Sequence, residues 1–263
     1  MPVEQIDWRK TVEAILEKSK RQFVPINKSF VQLPKGSEER KSVLSQFVRN
    51  GDARGLKSYL LIAASASCAD KHGDWCTSLP LQTWARAFGC YQTASSVDTG
   101  KTAARRIFSR LRERGLIEEF CSGKNREIKI RLLSQDGSGE NYERPRKRFI
   151  RLSYDFWRNG YDEKLTLPAV AMLLTVLGEK QPCRLPFEQM PEWYGWSADT
   201  AERGLQELED KGIIRKGKYV RETALSPTGY TRGNEYTVLP PFDRQTLDAS
   251  RRRRVAEKDQ EHE

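Results

Sequence analysis

Apolar and polar positions alternate along this chain with two clear periods. Between residues 101 and 114, Ala104, Ile107, Phe108 and Leu111 recur at three- and four-residue spacing, which predicts an amphipathic helix. Leu56–Ala64 and Leu167–Leu177 are apolar on nearly every side and predict helices at the centre of a core. Two hairpins are expected downstream. Ile117–Phe120 and Ile128–Leu133 flank a turn at 122–125, and Ile213–Glu222 and Glu235–Leu239 flank one at 228–233. Trp8, Val12, Ile15, Leu16 and Ser19 share one face of a helix over Asp7–Arg21, which docks either on its own chain or on a second copy.

These elements repeat. Phe23, Ile26 and Phe30 match Phe149, Leu152 and Phe156 in spacing, each set reading as a short strand that leads into a helix. Cys76, Leu79, Pro80 and Leu81 are echoed by Cys183, Leu185, Pro186 and Phe187, where each proline suits the first turn of a helix. The closest correspondence runs from Leu111 through Gly115 to Ile117 and from Leu208 through Gly212 to Ile214. Both glycines read as helix C-caps, free to take the left-handed conformation that turns a helix into a strand. Residues 134–147 carry Gly, Ser, Pro and charge without periodic apolar positions and read as a linker. The expected organisation is an N-terminal helix at 1–22, one domain at 23–133, the linker, a second domain at 148–243 and a charged tail at 244–263.

The order strand, helix, short strand, helix, helix, hairpin resembles the winged-helix DNA-binding superfamily in both halves. Its signature here is a helix ending in Leu-x-x-basic-Gly-Leu/Ile-Ile before a hairpin. The resemblance implies an α+β, mainly α fold with two tandem winged helix-turn-helix domains and β-hairpin wings. It further implies a sequence-specific double-stranded DNA-binding protein, a transcription regulator first and no enzyme. The strand opening each half is also similar to the DNA-binding domains of plasmid and phage replication initiators. A third reading is a winged-helix adaptor that binds proteins.

Charge sharpens this expectation. The 263 residues hold 46 Lys and Arg against 36 Asp and Glu, a net +10 that favours a polyanionic partner. Six of the basic residues fall within 101–114 against Glu113 alone. Lys101, Thr102 and Arg105 near the helix start are the candidates for base edges, with Thr99 just ahead of them, while Arg106, Arg110 and Arg112 are candidates for phosphates. Lys124 and Arg126 would sit on the first wing. The equivalent helix, Ser197–Gly212, carries five acids against Arg203 and Lys211. Either the second domain meets DNA through Ser197, Thr200 and Arg203 at the helix start and through Lys216, Lys218, Arg221 and Arg232 of its wing, or it contacts protein. Cys76 to Leu111 spans ten residues more than Cys183 to Leu208, an excess assigned to a loop at about Cys90–Thr99.

Other chemistries fit less well. Gly100-Lys101-Thr102 lacks the first glycine and the preceding strand of a phosphate-binding loop. Cys68, His72, Cys76 and Cys90 match no familiar zinc spacing, and no cofactor is expected. With two histidines in the chain and no catalytic carboxylate motif, metal-dependent nuclease and triad chemistry find no residues. Five irregularly spaced cysteines fit a reducing compartment, and residues 1–20 alternate charge with apolar positions instead of building a signal core. A cytoplasmic protein is expected, at the nucleoid when DNA-bound. The tail from Arg244 reads as mobile or as a frayed helix, its run Arg251–Arg254 either gripping phosphate or simply solvated.

Overall fold

A computed structural model describes residues 7–19, 21–37, 42–122 and 127–260. The chain is α+β, 47% helical and 20% strand, so helix predominates and the sheets are small and antiparallel. Helix α1 (Trp8–Glu17) is capped by Asp7, whose carboxylate accepts the Arg9 N–H at 3.0 Å. It docks in cis: Val12, Ile15 and Leu16 are buried, and Thr11 accepts from Arg86 Nε at 2.8 Å.

Strand β1 (Phe23–Asn27) leads into the short helix α2 (Lys28–Val31), and α3 (Val43–Arg49) precedes the core helix α4 (Ala53–Ser65). Strand β2 (Cys76–Pro80) then runs into α5 (Leu81–Ala87), and a 3-10 turn at Cys90–Gln92 precedes α6 (Val97–Glu113). Strands β3 (Ile117–Ser122) and β4 (Glu127–Leu132) form the hairpin, and the sheet order is β2-β4-β3.

The second half repeats this layout. It begins with β5 (Phe149–Ser153) and the short helices α7 (Asp155–Arg158) and α8 (Tyr161–Lys164), followed by the core helix α9 (Leu167–Gly178). A 3-10 turn at Phe187–Gln189 and α10 (Met190–Trp193) lead to α11 (Ala198–Asp210) and the hairpin β6 (Ile214–Glu222) and β7 (Tyr230–Val238). Here the equivalent of β2 shrinks to a single bridge between Cys183 and Tyr236 of β7. In the first half Cys76 pairs with Arg131 of β4, so the short extended piece meets the last strand of the hairpin in both halves.

The strands that open each half pair with one another. Strands β1 and β5 form a two-stranded antiparallel sheet in which Ile26 faces Ile150, Val24 faces Leu152 and Pro25 faces Arg151. Phe23 and Phe149 stack beside it with ring centroids 6.1 Å apart. Helix α9 packs on α2 and α3 as well as on α11, and the buried side chains of both halves form one continuous cluster. The 134–147 connection is anchored along its way, since buried Gln135 accepts the Asn27 N–H and Tyr142 meets the edge of Trp75 at 5.7 Å. The charged C-terminal stretch forms α12 (Arg244–Gln260), tied down by buried Leu247 and by an ion pair of Asp248 with Arg151 at 2.9 Å. Among the described residues no helix is long and apolar enough to cross a membrane.

Candidate nucleic-acid interface

Helix α6 begins one turn earlier than its apolar spacing predicts. Ser96 caps it, its hydroxyl accepting the Thr99 N–H at 3.2 Å and lying 2.9 Å from the Thr99 hydroxyl. Helix α11 starts on the same device, with Ser197 accepting the Thr200 N–H at 3.1 Å and the two hydroxyls 3.0 Å apart. Each cap is followed by an aspartate in the first turn, Asp98 or Asp199, where it complements the helix dipole. The shared pattern Ser-x-Asp-Thr is legible in the sequence but stands at different distances from the two C-cap glycines, Gly115 and Gly212.

Aligning the caps resolves the excess length of the first half. Helix α6 has 17 residues and α11 has 13, a difference of about one helical turn. The rest lies in the segment from Phe88 to Ser95 with its 3-10 turn, so the expected Cys90–Thr99 loop is part turn and part helix. Gly100 lies inside α6 with the Tyr91 ring against it, where an added Cβ would fall 2.2 Å from Cε1. That segment forms no phosphate-cradling loop.

Ala104, Ile107, Phe108 and Leu111 of α6 are buried, while Thr99, Thr102, Arg105, Arg106 and Arg112 are exposed. Thr102, Arg105, Ser109 and Arg112 follow one another along the outer face at helical spacing. Arg105 and Arg106 have no ionic partner among the described residues, Lys101 leans back to Asp98 at 3.4 Å, and Arg112 is 3.9 Å from Glu119 of β3. Arg110 is placed differently from its neighbours. Its Nε and NH2 donate to the two carboxylate oxygens of Asp52 at 3.0 and 3.1 Å.

Arg114 joins this arrangement, 2.8 Å from Asp52 and stacked 4.2 Å over the Phe47 ring. Asp52 also caps α4 by accepting the Gly55 N–H at 3.0 Å. Burial opposes its ionisation, but the Arg110 hydrogen bond and charge, the Gly55 amide and Arg114 outweigh it and hold the carboxyl below its ordinary range. Arg110 is thus a clamp between α6 and the start of α4 rather than an open phosphate contact.

On the first hairpin, Lys124 and Arg126 lie outside the described residues. On the second, the register sorts the basic residues by face. Lys216 faces Tyr236, Lys218 faces Asn234 and Val220 faces Arg232, so Lys216, Lys218 and Arg232 share one side. Arg221, opposite Thr231, belongs to the other side with Arg215. Strand β7 starts at Tyr230, five residues before the sequence pattern puts it, because the Tyr230–Asn234 backbone pairs with β6 despite its Gly and Thr content. Arg232 therefore lies within the strand, and the turn is 223–229.

At α11, Ser197 and Thr200 stand at the cap, and Arg203 pairs with Asp199 at 3.0 Å. Part of the acidity of this helix is structural. Glu207 accepts from the Thr166 N–H at 3.0 Å and from its hydroxyl, holding α11 to the start of α9. Gly204 allows the two helices to close, with its missing Cβ position 2.5 Å from the Pro168 carbonyl oxygen.

The cysteines that might have held zinc are dispersed. Cys68 is exposed and Cys90 buried, and beside Cys76 stand Asp70 and Asp74, already engaged by Lys129 at 3.1 Å and Arg131 at 3.3 Å. Comparison of the chain with family models, curated proteins and solved structures returned no match.

Proposed function

We propose that the protein is a sequence-specific double-stranded DNA-binding protein built from two winged-helix units, with α6 as the principal reading helix. The observation that carries the reading is the outer face of α6, where Arg105 and Arg106 stand exposed, without an ionic partner among the described residues, beside Thr102 on a helix whose inner face is fixed in the core. A helix presented this way fits the major groove, with donors for base edges and charge for phosphates. The matching sheet orders support winged helices in both halves, since each short extended piece lies beside the last strand of its hairpin.

The second unit adds a basic wing face through Lys216, Lys218 and Arg232, while its own helix gives little beyond Ser197 and Thr200. Phosphate neutralisation supplies most of the affinity and a few base-edge contacts supply discrimination. Transcription regulation is the role proposed. The paired opening strands keep a replication initiator as the second reading, because two units joined through one sheet suit repeated sites in an origin.

Selection of bound fragments from a random duplex library at about 150 mM salt tests the proposal, since non-specific affinity is weak there. Recovery of a motif is the expected result, and its genomic position, promoter or origin repeats, separates the two roles. Failure to enrich any motif, with a protein partner captured through α11 instead, would establish the adaptor reading.

A further inference from the structure

A cavity of about 430 Å³ opens where the two halves meet, within the size range of sites for small organic molecules. Trp8 of α1, Phe88 after α5 and Trp157 of α7 give it aromatic walls, and Arg54, Lys57, Asp162 and Glu163 bring charge, with Arg54 exposed at the rim. Most of these polar groups are already engaged. Lys57 Nζ donates to the Leu165 carbonyl at 2.8 Å, and Glu163 accepts from Arg9 and, at 3.3 Å, from Gln92 Nε2.

Asp162 is the exception. It is 8% exposed and its Oδ1 accepts no hydrogen bond. A buried carboxylate oxygen without a donor is costly, and a fold retains such a group where something else completes it. What is missing at this wall is a donor, and what surrounds it is aromatic surface suited to a cation.

We propose that this cavity binds a small organic amine with an aromatic body, its ammonium received by Asp162 and its ring held among Trp8, Phe88 and Trp157. The site is independent of nucleic-acid reading and its test needs no DNA. The charged groups around Asp162 are Glu163 beside it, Lys57 from α4 and Arg9 from α1, with Arg54 of α4 on the same cavity wall; burial first and then Glu163 outweigh Lys57, its own backbone amide and Arg9 and push its carboxyl up to about 6. The ammonium pairs with the ionised carboxylate, so affinity falls as pH drops below that value.

Calorimetric titration of the full chain with phenethylamine and tyramine, and with phenylacetate as an aromatic anion of similar size, reads this directly. Saturable binding of at least one amine and none of phenylacetate is expected, with about tenfold weaker binding per pH unit below about 6. Asp162→Asn should weaken binding at least tenfold, and Trp8→Ala, on an outer helix, should weaken it without removing the carboxylate. No saturable amine binding, equal binding of phenylacetate, or an affinity indifferent to both pH and Asp162→Asn would overturn the proposal.

Discussion

The contrast between Arg105 and Arg106 on one side and Arg110 on the other gives a quantitative test of the interface. All three are arginines of one helix, yet Arg105 and Arg106 have no ionic partner among the described residues, whereas Arg110 is held by both oxygens of Asp52. Each phosphate neutralised adds about 0.9 to the slope of log K against log salt on duplex DNA. Arg106→Gln, the phosphate candidate of that pair, should therefore flatten that slope by about 0.9, so a fourfold rise in salt costs the variant about 3.5-fold less affinity than the parent, while Arg105→Gln, the base-edge candidate, should reduce discrimination between duplexes more than the slope. Arg110→Gln should leave the slope unchanged and instead lower stability by about 1–2 kcal/mol through the loss of a charged hydrogen-bond pair. Fluorescence anisotropy with a labelled duplex over a salt series gives the slopes, and urea denaturation gives the stability. A slope reduced by Arg110→Gln with stability intact would refute the assignment, as would an Arg106→Gln variant with the parental slope.

Further outcomes follow from the packing. Asp162 has a folded pKa of about 6 against an ordinary 3.8, so its contribution to stability is full below the lower value and lost as pH rises through the higher. Asp162→Asn should accordingly stabilise the fold by up to about 3 kcal/mol at pH 7, shrinking toward zero near pH 4 in urea melts; a pH-independent difference would contradict this. Asp52→Ala removes a helix cap and leaves Arg110 and Arg114 facing one another, which should cost about 3–4 kcal/mol. Asp52→Asn, which retains the cap, should cost less. Gly204→Ala sets a methyl against the Pro168 carbonyl and Met172, so α9 and α11 must part at a cost of about 1–3 kcal/mol in thermal or chemical unfolding.

Local features of the fold were legible because local physics determines them. The helix at 101–114, both C-cap glycines and both hairpins follow from spacing within a few residues, and Gly115 and Gly212 do take positive φ. The caps at Ser96 and Ser197 were equally local but lay outside the apolar period that defined the helices. Partners distant in sequence were not legible. Arg110 meets Asp52 across 58 residues, and nothing in the run of basic residues separates it from Arg106. The pairing of β1 with β5 was hidden for the same reason, since a strand pattern identifies an edge but not its partner. The tip of the second hairpin differs from the sequence pattern because Gly233, a turn signal in sequence, lies within the strand, where an added Cβ would fall 2.7 Å from the Tyr219 ring.

The register of β1 against β5 carries one consequence for the whole assembly. Pro25 and Arg151 occupy the same place in their respective repeats, and they face each other across the sheet. Equivalent residues opposed in antiparallel strands define a local dyad, so a single chain reproduces the symmetry of a homodimer. On the DNA-binding reading, the preferred site is then an imperfect palindrome, with one arm read closely by α6 and the other held loosely by the second wing. The spacing of its arms is set by the shared sheet, so inserting about five base pairs between them, half a turn of duplex, turns one arm away from its reader.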